Sequence, residues 1–449
     1  MVMKTPRHLC VEILNRVEEH GAFAEPLIDA CLSRNLALHI YDRRLITQIV
    51  YGTLRMRGRL DWVINQLYRG TYISMDLCIK NILRTGIYQM LYTERIPDFA
   101  IVDEAVEITK KMHPAGAGLV NAILRNVVRK KDVITYPEME KDPSLYISIV
   151  HSHPLWLVKK WIDIFGIEDT AVLCRANNEI PPVSLRVNTL KTTREKAREE
   201  LSQDGTDVRL SVFSPDGLIV SNPVMSIRDT KLFKAGHIQL QDEASQLIAR
   251  LVDPKGGENV LDLCAGSGGK TMHLAALMEN RGSIMAVDIL KKKLESLREN
   301  AGRLGVAIVG TKVRDARQKP AEALHETFDK ILVDAPCSGL GTLRRNPEIK
   351  WRLSPGDVTK SALLQKVIMD NAAPCVKKGG SLIYSTCTIM PEENEGVIEE
   401  FLSLHKDFIC IRPPDAIDSR VVDDRGYLRS SPHQHGADGF FGAVLSKKG

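Results

Sequence analysis

Residues 259–270 read Asn-Val-Leu-Asp-Leu-Cys-Ala-Gly-Ser-Gly-Gly-Lys, and they are the strongest indication of the fold class. It opens with an apolar run that predicts a buried strand and continues as a glycine-rich turn, and a helical pattern follows it. A second apolar strand, 283–287, ends on Asp288, 22 residues after Gly266. Glycines let the backbone approach a ligand closely, and a carboxylate at the tip of the second strand can accept hydrogen bonds from both ribose hydroxyls. The pattern therefore predicts an α/β domain that binds a nucleoside cofactor.

Two other phosphate-binding patterns compete with this interpretation. A P-loop needs a glycine where the chain has Cys264, and the dinucleotide fingerprint GxGxxG needs glycine or alanine where it has Thr271. Each pattern fails at one position. The P-loop is the stronger alternative, because Gly269-Lys270-Thr271 and an apolar strand that ends on Asp334 imitate its phosphate and magnesium elements.

Two cysteines directly follow strands of the same domain. The apolar run 331–333 leads into Asp334-Ala-Pro-Cys337-Ser-Gly, and the apolar run 382–384 leads into Ser-Thr-Cys387-Thr. We therefore expect both thiols where buried strands open onto a cleft. A thiolate adds well to an electron-poor ring carbon when a neighbouring charge or helix N-terminus lowers its pKa. Buried free cysteine is also simply a small hydrophobic residue, and this alternative stays open.

Composition is typical of an intracellular enzyme of two or three domains. The 449 residues contain no apolar run near the ~18 of a membrane span, and the polar opening, 1–8, lacks a signal-peptide core. Nine cysteines without paired spacing favour a reducing cytoplasm over a disulfide framework. The histidine pairs His151/His153 and His433/His435 have no further ligands nearby in sequence, so we expect no metal.

The N-terminal 131 residues are basic. They hold 19 Lys and Arg against 13 Asp and Glu, although the whole chain has a net charge of only +5. Arg43, Arg44, Arg55 and Arg57 lie in one short region, which indicates either a solvated face or contacts to RNA phosphates. Amphipathic spacing predicts helices at 6–19, 23–34, 41–57, 59–67, 75–92, 100–112 and 116–131.

A smaller mixed segment, 136–235, follows. Two predicted helices precede an alternating strand at 184–188, a helix at 193–203 and two further strands. This βαββ order predicts a ferredoxin-like or RRM-like unit, although it lacks the paired aromatic residues with which an RRM stacks bases. Residues 241–243, Gln-Asp-Glu, open the next helix, where a functional role and an ordinary first-turn role are equally favoured.

A basic segment follows the first of the two cysteines. Arg344, Arg345 and Lys350, with Trp351, predict a loop at the rim of the cleft that holds RNA phosphates and a stacked base. Trp351 can equally fill a hydrophobic core, but its charged neighbours favour the rim.

Six ordered motifs resemble one family. They are 239–246 (QLQDEASQ), 262–270 (DLCAGSGGK), 334–339 (DAPCSG), 344–351 (RRNPEIKW), 384–388 (YSTCT) and 438–441 (DGFF). From about residue 236 onward the chain resembles the S-adenosylmethionine-dependent RNA 5-methylcytosine methyltransferases. Over its whole length it resembles the bacterial branch that modifies 16S ribosomal RNA. The N-terminal segment is similar to the all-helical RNA-binding domain of the NusB family.

The resemblance implies a role for each motif residue. Asp288 would hold the ribose, Asp315 would face the adenine amine, and Asp334 would face the target cytosine beside the cofactor. The methionine end of S-adenosylmethionine would be cradled by Cys264, Ala265, Gly266, Ser267, Gly268, Gly269 and Lys270.

The chemistry explains why a cysteine is needed. Carbon 5 of cytosine is too weak a nucleophile to attack a sulfonium methyl group until another nucleophile has added at carbon 6. An aspartate kept partly protonated by a dry pocket, here Asp334, can protonate or hydrogen-bond ring nitrogen 3 and promote that addition. The residues alone leave the thiol roles open, since the Pro-Cys of Cys337 also resembles the nucleophile of DNA cytosine methyltransferases. The pattern of the RNA family implies Cys387 as nucleophile and Cys337 as the group that assists release.

The combined expectation is a three-domain enzyme. Residues 1–135 form an all-helical NusB-like domain, 136–235 a small α/β linker domain, and 236–449 a doubly wound Rossmann-like methyltransferase domain. We expect the last strand, 439–446, to pair antiparallel in a mostly parallel sheet. The expected partner is 16S ribosomal RNA and the expected state is a cytoplasmic monomer. The alternatives are a P-loop-like NTPase that remodels RNA and a non-catalytic RNA-binding scaffold.

Overall fold

The computed structural model describes residues 4–94, 96–203, 205–221 and 223–449, so the first three residues of the polar opening lie outside it. Two compact units form: unit 1 comprises Met1–Glu179 and Leu343–Leu353, and unit 2 comprises Ile180–Thr342 and Ser354–Gly449. Among the described residues, no helix has the length and apolar character needed to cross a membrane.

The helices, in chain order, are α1 (Pro6–Glu19), α2 (Ala24–Arg34), α3 (Ile40–Leu67), α4 (Leu77–Tyr92), α5 (Asp98–Met112), α6 (Ala117–Lys130), α7 (Pro143–Val150), α8 (Leu155–Phe165), α9 (Ile167–Ala176), α10 (Arg194–Gln203), α11 (Lys231–Lys234), α12 (Glu243–Val252), α13 (Gly269–Leu277), α14 (Lys291–Leu304), α15 (Ile349–Arg352), α16 (Pro355–Ala372), α17 (Glu395–Leu404) and α18 (Pro432–His435). The strands are β1 (Val183–Val187), β2 (Asp207–Leu210), β3 (Gly217–Ser221), β4 (Ile238–Leu240), β5 (Asn259–Leu263), β6 (Ser283–Asp288), β7 (Val309–Val313), β8 (Phe328–Asp334), β9 (Val376–Thr386), β10 (Phe408–Ile411), β11 (Leu428–Arg429) and β12 (Phe441–Lys447).

Unit 1 is helical, as its amphipathic spacing predicts. Helix α1 begins at Pro6, whose missing N–H is not needed in the first turn, and Thr5 Oγ1 caps the helix by accepting from His8 N at 3.3 Å. Its apolar stripe packs with that of α3, where Ile46 and Ile49 are fully buried. The predicted NusB-like helical fold of this segment is confirmed.

One helix prediction in unit 1 is wrong. The sequence predicted separate helices at 41–57 and 59–67, but α3 runs through Gly58 without a break. Gly58 does not end the helix. It leaves room for the Trp351 ring, because a Cβ at Gly58 would come within 2.8 Å of that ring. Its N–H also donates to Ser152 Oγ at 2.9 Å. Glycine weakens a helix by only ~1 kcal/mol, and tertiary packing overrides this preference.

The first sheet of unit 2 is small and antiparallel, with strand order β2-β3-β1-β4. Leu185 and Val187 of β1, together with Leu218 and Val220 of β3, form its hydrophobic core, which α10 covers with Leu201. This arrangement confirms the predicted small ferredoxin-like α/β fold.

The second sheet has 8 strands in the order β10-β12-β9-β8-β5-β6-β7, with β11 beside β12. The strands from β5 to β9 pair in parallel, and β12 pairs antiparallel with β9. The doubly wound sheet and its antiparallel last strand are therefore as predicted. Strand order reverses between β5 and β8, and ligands of such sheets bind at the carboxyl ends of strands beside this reversal.

Candidate active site

The glycine-rich turn leaves the carboxyl end of β5 at the point where the strand order reverses. Cys264 and Gly266 adopt left-handed backbone angles, with φ of 64° and 60°. Gly268, with φ of 85°, caps α13 and packs so closely on Leu297 that a Cβ would come within 2.6 Å of that side chain. A Cβ at Gly266 or Gly269 would meet no atom within 4 Å, so the backbone at these two glycines faces open space. This geometry fits close approach by a ligand.

A cavity of about 590 Å³ opens beside this turn, a size suited to a nucleoside-containing ligand. It brings together the cofactor-binding and catalytic residues that the sequence selected, apart from Gly268, which packs against Leu297, but not the basic residues Arg344, Arg345 and Lys350. The lining includes Cys264, Ala265, Gly266, Ser267, Gly269, Lys270, Asp288, Asp315, Asp334, Cys337 and Cys387, with Ser245 and Asp262 in addition.

Asp288 connects the end of β6 to the glycine-rich turn. Its carboxylate accepts from Gly266 N at 2.9 Å and from Leu290 N at 2.8 Å, and its side chain is buried. Asp315 follows β7 and is held by Arg317, whose hydrogen bonds lower the pKa of that carboxyl. Both carboxylates line the cavity, and their roles toward ribose and adenine remain predictions.

Asp334, at the end of β8, has a cationic partner that the sequence did not predict. Lys270 Nζ lies 2.7 Å from Asp334 Oδ2, and Ser385 Oγ donates to Asp334 Oδ1 at 2.9 Å. Burial lowers the pKa of Lys270, but the charge and hydrogen bond of Asp334, together with the charges of Cys387 and Asp262, outweigh it, so the net shift is upward. The ammonium also lies 5.2 Å from the centre of the Phe440 ring. Asp334 is thus oriented from two sides.

The two predicted thiols meet in the same cavity. Cys337 Sγ and Cys387 Sγ are 3.3 Å apart. The hydrogen bond with Cys387, and then burial, raise the pKa of Cys337 well above its usual value. Cys337 therefore remains a protonated thiol at neutral pH and can donate toward Cys387.

Residues directly after the cysteines hold the two loops together, and the sequence analysis did not select them. Ser338 Oγ and Thr388 Oγ1 are 2.9 Å apart, and buried Glu393 accepts from Ser338 N at 2.8 Å. Burial raises the pKa of Glu393. Gln365 Nε2 donates to the same carboxyl group at 3.1 Å. The only local signal for Glu393 was the acidic pair 392–393, shortly after a predicted strand. Such acidic pairs are common on protein surfaces.

Asp262, within β5, is a second buried carboxyl of the cavity. Thr271 Oγ1 donates to Asp262 Oδ2 at 2.6 Å, whereas Oδ1 has no hydrogen-bond donor among the described residues. Burial, reinforced by the negative charge of Asp334, raises the pKa of Asp262 to about 7 despite the bond from Thr271.

The predicted basic rim is not exposed. Arg344 and Lys350 are only 3% and 1% exposed, which corrects the expectation of a solvent-facing loop. Residues 343–353 belong to unit 1, where Lys350 Nζ donates to Arg55 O at 3.0 Å and to Asn178 Oδ1 at 3.1 Å. Burial lowers the pKa of Lys350 to about 7. Arg345, between them in sequence, is half-buried.

Trp351 and the arginines of α3 also make contacts within unit 1. The Trp351 indole donates to Leu54 O at 2.7 Å, which favours the packing alternative for this residue. Arg55 donates to Arg344 O at 2.9 Å, and Arg57 pairs with Glu18 at 3.1 Å. Both guanidinium groups therefore have structural partners.

The remaining two arginines of the predicted basic cluster lie near the start of α3. Arg43 is half-buried and donates to Leu32 O at 3.3 Å, whereas Arg44 is exposed. Arg44 is thus the exposed member of the cluster and the most accessible to an RNA phosphate. In the described part of the chain, no group of three or more His, Cys, Asp or Glu side chains is arranged to hold a metal ion.

Comparison with family models divides the chain into three matched segments. Residues 4–129 match the NusB family, 153–227 match the ferredoxin-like domain of RsmF/B-like methyltransferases, and 249–446 match the 16S rRNA methyltransferase RsmB/F family.

Similar proteins match over the full chain. A probable ribosomal RNA small subunit methyltransferase B from Bacillus subtilis is 38% identical over 99% of both chains. The ribosomal RNA small subunit methyltransferase B of Yersinia enterocolitica is 34% identical over 91% of both.

Two solved structures are also similar. The crystal structure of PH0851 covers 99% of this chain and 100% of its own, with a TM-score of 0.84 and 31% identity. NSun6 from Pyrococcus horikoshii, solved with SFG, covers 66% of this chain and 99% of its own, with a TM-score of 0.60 and 26% identity.

Proposed function

The chain belongs to the RsmB/F family of S-adenosylmethionine-dependent 16S ribosomal RNA methyltransferases, and we propose that it methylates carbon 5 of a cytosine through a covalent bond to Cys387. The observation that carries this proposal is the pair of thiols, 3.3 Å apart, in a cavity that also contains Asp334. The predicted family and cofactor are confirmed by the family matches. The NTPase and scaffold alternatives are not favoured.

We propose that the glycine-rich turn and two carboxylates hold the cofactor. The open backbone at Gly266 and Gly269 suits the methionine end, Asp288 the ribose hydroxyls and Asp315 the adenine amine. When bound, S-adenosylmethionine supplies an electrophilic methyl group. Because Asp288 also accepts from Gly266 N, ribose recognition and the shape of the turn depend on the same carboxylate.

Cys387 is the better candidate for the nucleophile. Cys337 keeps its proton, since its pKa is raised, and its S–H can donate to the Cys387 sulfur. The thiolate is the form of cysteine that attacks, and a thiol 3.3 Å away can donate a hydrogen bond to its negative charge. The ammonium of Lys270 adds a positive charge that interacts with Cys387. Addition forms a bond from Cys387 Sγ to carbon 6 and moves an electron pair of the ring toward carbon 5 and nitrogen 3.

Asp334 and its partners orient the cytosine in this proposal. A carboxylate fixed by Lys270 and Ser385 has a defined direction, so it can accept from the exocyclic amine of the base. Because Asp334 is paired with Lys270, the Lys270 ammonium replaces Asp334 as the proposed donor to nitrogen 3. After carbon 5 has gained its methyl group, its proton passes to solvent, the freed electron pair re-forms the double bond between carbons 5 and 6, and the bond from carbon 6 to Cys387 breaks, which regenerates the thiolate. Cys337 lies 3.3 Å from Cys387 and is the proposed assistant in this release.

The proposal also covers the substrate, the acting state, the RNA-binding region and the domain limits. We propose a cytosine of 16S ribosomal RNA as the substrate, a monomer in the cytoplasm as the acting state, and RNA contacts through the N-terminal domain. The proposed domain limits are 1–135, 136–235 and 236–449.

Methyl transfer to RNA tests the proposed activity. The purified enzyme, labelled S-adenosylmethionine and 16S ribosomal RNA that lacks modifications are incubated, and the nucleosides are separated by mass spectrometry. We expect the label in 5-methylcytidine. Label in N4-methylcytosine, in 2′-O-methylcytidine or in another base would reject the carbon 5 assignment while leaving the family assignment intact.

A further inference from the structure

Strand β1 of the small sheet has a polar face that is buried. Leu185 and Val187 point into the hydrophobic core of this sheet, as alternation predicts. Arg186, between them, and Asn188, directly after the strand, alternate with these two residues and so belong to the other side, where an isolated sheet would meet water, yet they are only 1% and 2% exposed. Such burial of a guanidinium group is unfavourable unless its hydrogen bonds are specific, so the contacts of Arg186 are informative.

Arg186 contacts the first residue of α13. Its Nη1 donates to Gly269 O at 2.7 Å and to Gln241 Oε1 at 2.5 Å. Gly269 and Lys270 share one planar peptide unit, in which the C=O and N–H groups point in opposite directions. By fixing the Gly269 carbonyl, Arg186 fixes the direction of the Lys270 N–H, and both residues line the cofactor cavity.

A second contact holds α13 one helical turn further on. Asp216, in the turn between β2 and β3, accepts from His273 Nε2 at 2.9 Å and from Arg250 Nη2 at 2.6 Å. Burial lowers the pKa of His273 to about 4, so the ring is neutral and donates to Asp216. Helix α13 is therefore fixed at Gly269 and at His273 by two side chains of the small α/β domain.

A third contact continues from Arg186 into the cavity. Gln241, which accepts from Arg186, donates through Nε2 to Ser245 Oγ at 3.2 Å. Ser245 is the part of α12 that lines the cofactor cavity. Gln241 belongs to the Gln-Asp-Glu stretch whose role the sequence left open. It connects buried Arg186 to Ser245 on the cavity wall.

We propose that Arg186 and Gln241 are positioning residues for S-adenosylmethionine, so that the small α/β domain forms part of the cofactor site instead of serving only as a linker. Arg186 holds the glycine-rich turn in its open shape through Gly269, and Gln241 orients the Ser245 hydroxyl toward the ligand. The inference rests on the cofactor assignment of the proposed function and is independent of the cytosine chemistry.

The matched control is Asn188, two residues along the same polar face. Its Nδ2 donates to two backbone carbonyls, Gly236 O and Leu304 O, both at 2.8 Å. It therefore connects the same strand to α14 with a similar number of hydrogen bonds but does not contact the glycine-rich turn. Asn188→Ala measures the effect of weakening this packing in general.

The test compares Arg186→Met, Arg186→Lys and Gln241→Ala with Asn188→Ala in the full chain. Calorimetric titration with S-adenosylmethionine, at a temperature where every variant is folded, is combined with amide hydrogen exchange of residues 266–270. We expect Arg186→Met to bind about tenfold more weakly and to exchange faster in this turn, because it loses two charge-assisted hydrogen bonds. Arg186→Lys should recover part of the affinity, and Gln241→Ala should lose about threefold.

Asn188→Ala should lower the melting temperature while its affinity stays within about twofold of wild type. Wild-type affinity in Arg186→Met, or an equal loss in Asn188→Ala, would overturn the positioning role. If Arg186→Met does not fold, the same criteria are applied to Arg186→Lys and Gln241→Ala. The readout of this test is cofactor binding. If the positioning role fails, the proposed methylation at carbon 5 still stands. If methylation at carbon 5 fails, the positioning role still stands.

Discussion

The sulfur atoms of Cys337 and Cys387 lie 3.3 Å apart although 50 residues separate them in the chain. Parallel pairing of β8 with β9 brings their carboxyl ends together, and Asp334 pairs in register with Ser385. The short loops beyond these strands are then connected by the hydrogen bond between Ser338 and Thr388. The proximity of the thiols thus follows from the register of two adjacent strands.

The two thiols should give variants that differ in kind. Cys387→Ala should abolish methylation without forming a protein–RNA adduct, because no bond to carbon 6 can form. Cys337→Ala should still add to the base and transfer the methyl group but stall before release. Denaturing electrophoresis should then show RNA bound to Cys337→Ala and none bound to Cys387→Ala.

Cys410→Ala serves as the control for these variants, since this half-buried cysteine on β10 does not line the cavity. An adduct with Cys387→Ala and none with Cys337→Ala would reverse the two roles. Normal methylation by both variants would exclude covalent catalysis.

Asp288→Ala should weaken binding of S-adenosylmethionine by on the order of 2 kcal/mol, because hydrogen bonds to the ribose are removed and the turn at Gly266 becomes less ordered. Asp288→Asn, which keeps one acceptor oxygen, should lose less. Calorimetric titration measures both. The control is Asp329→Ala, which removes a carboxylate that also accepts a backbone N–H, from Asn259, but at the opposite end of the sheet. Unchanged affinity in Asp288→Ala would refute the ribose assignment.

Asp262 should make stability fall as pH rises. Its folded-state pKa of about 7 lies above the unfolded value near 3.8, so the folded state binds more protons between these values. The contribution of Asp262 is therefore fully present below about pH 4 and is lost as pH rises through 7, by on the order of 4 kcal/mol. Asp262→Asn does not titrate, so its stability relative to wild type should increase across this window and stay level above it.

Urea unfolding of both proteins at several pH values measures this difference. All four tryptophans lie in unit 1, so circular dichroism is the better probe for Asp262 in unit 2. A pH-independent difference between the two proteins would show that Asp262 does not retain a proton in the folded state.

Arg43→Gln combined with Arg44→Gln should lower RNA affinity and reduce its salt dependence, by about one unit of slope for each phosphate that these arginines neutralise. Point variants are preferable to deleting the N-terminal domain, because Lys350 and Trp351 would lose their acceptors on α3. Binding is measured by titration at several salt concentrations. Exposed Arg281, in unit 2, provides the control Arg281→Gln. An unchanged slope in the double variant would remove these two arginines from the RNA interface.

Local sequence patterns were sufficient to predict most of the helices and strands and their order. Local periodicity defined the limits of α1, and the alternation of apolar strands with helices predicted the doubly wound sheet. It also placed Asp288, Asp334, Cys337 and Cys387 at one edge of that sheet, because residues that follow parallel strands must meet there. These conclusions depend on interactions between residues that are near in sequence or on a general rule of sheet topology.

The burial of charged side chains and the identity of their partners depend instead on the tertiary structure. Lys350 was expected at a surface but donates to groups on α3 and after α9, and Lys270 pairs with Asp334 across 64 residues. Arg186 occupies the polar face of an ordinary alternating strand, yet that face is covered and its guanidinium group holds the glycine-rich turn. A local pattern distinguishes the two faces of a strand or helix. Which of those faces meets water depends on segments far away in the chain.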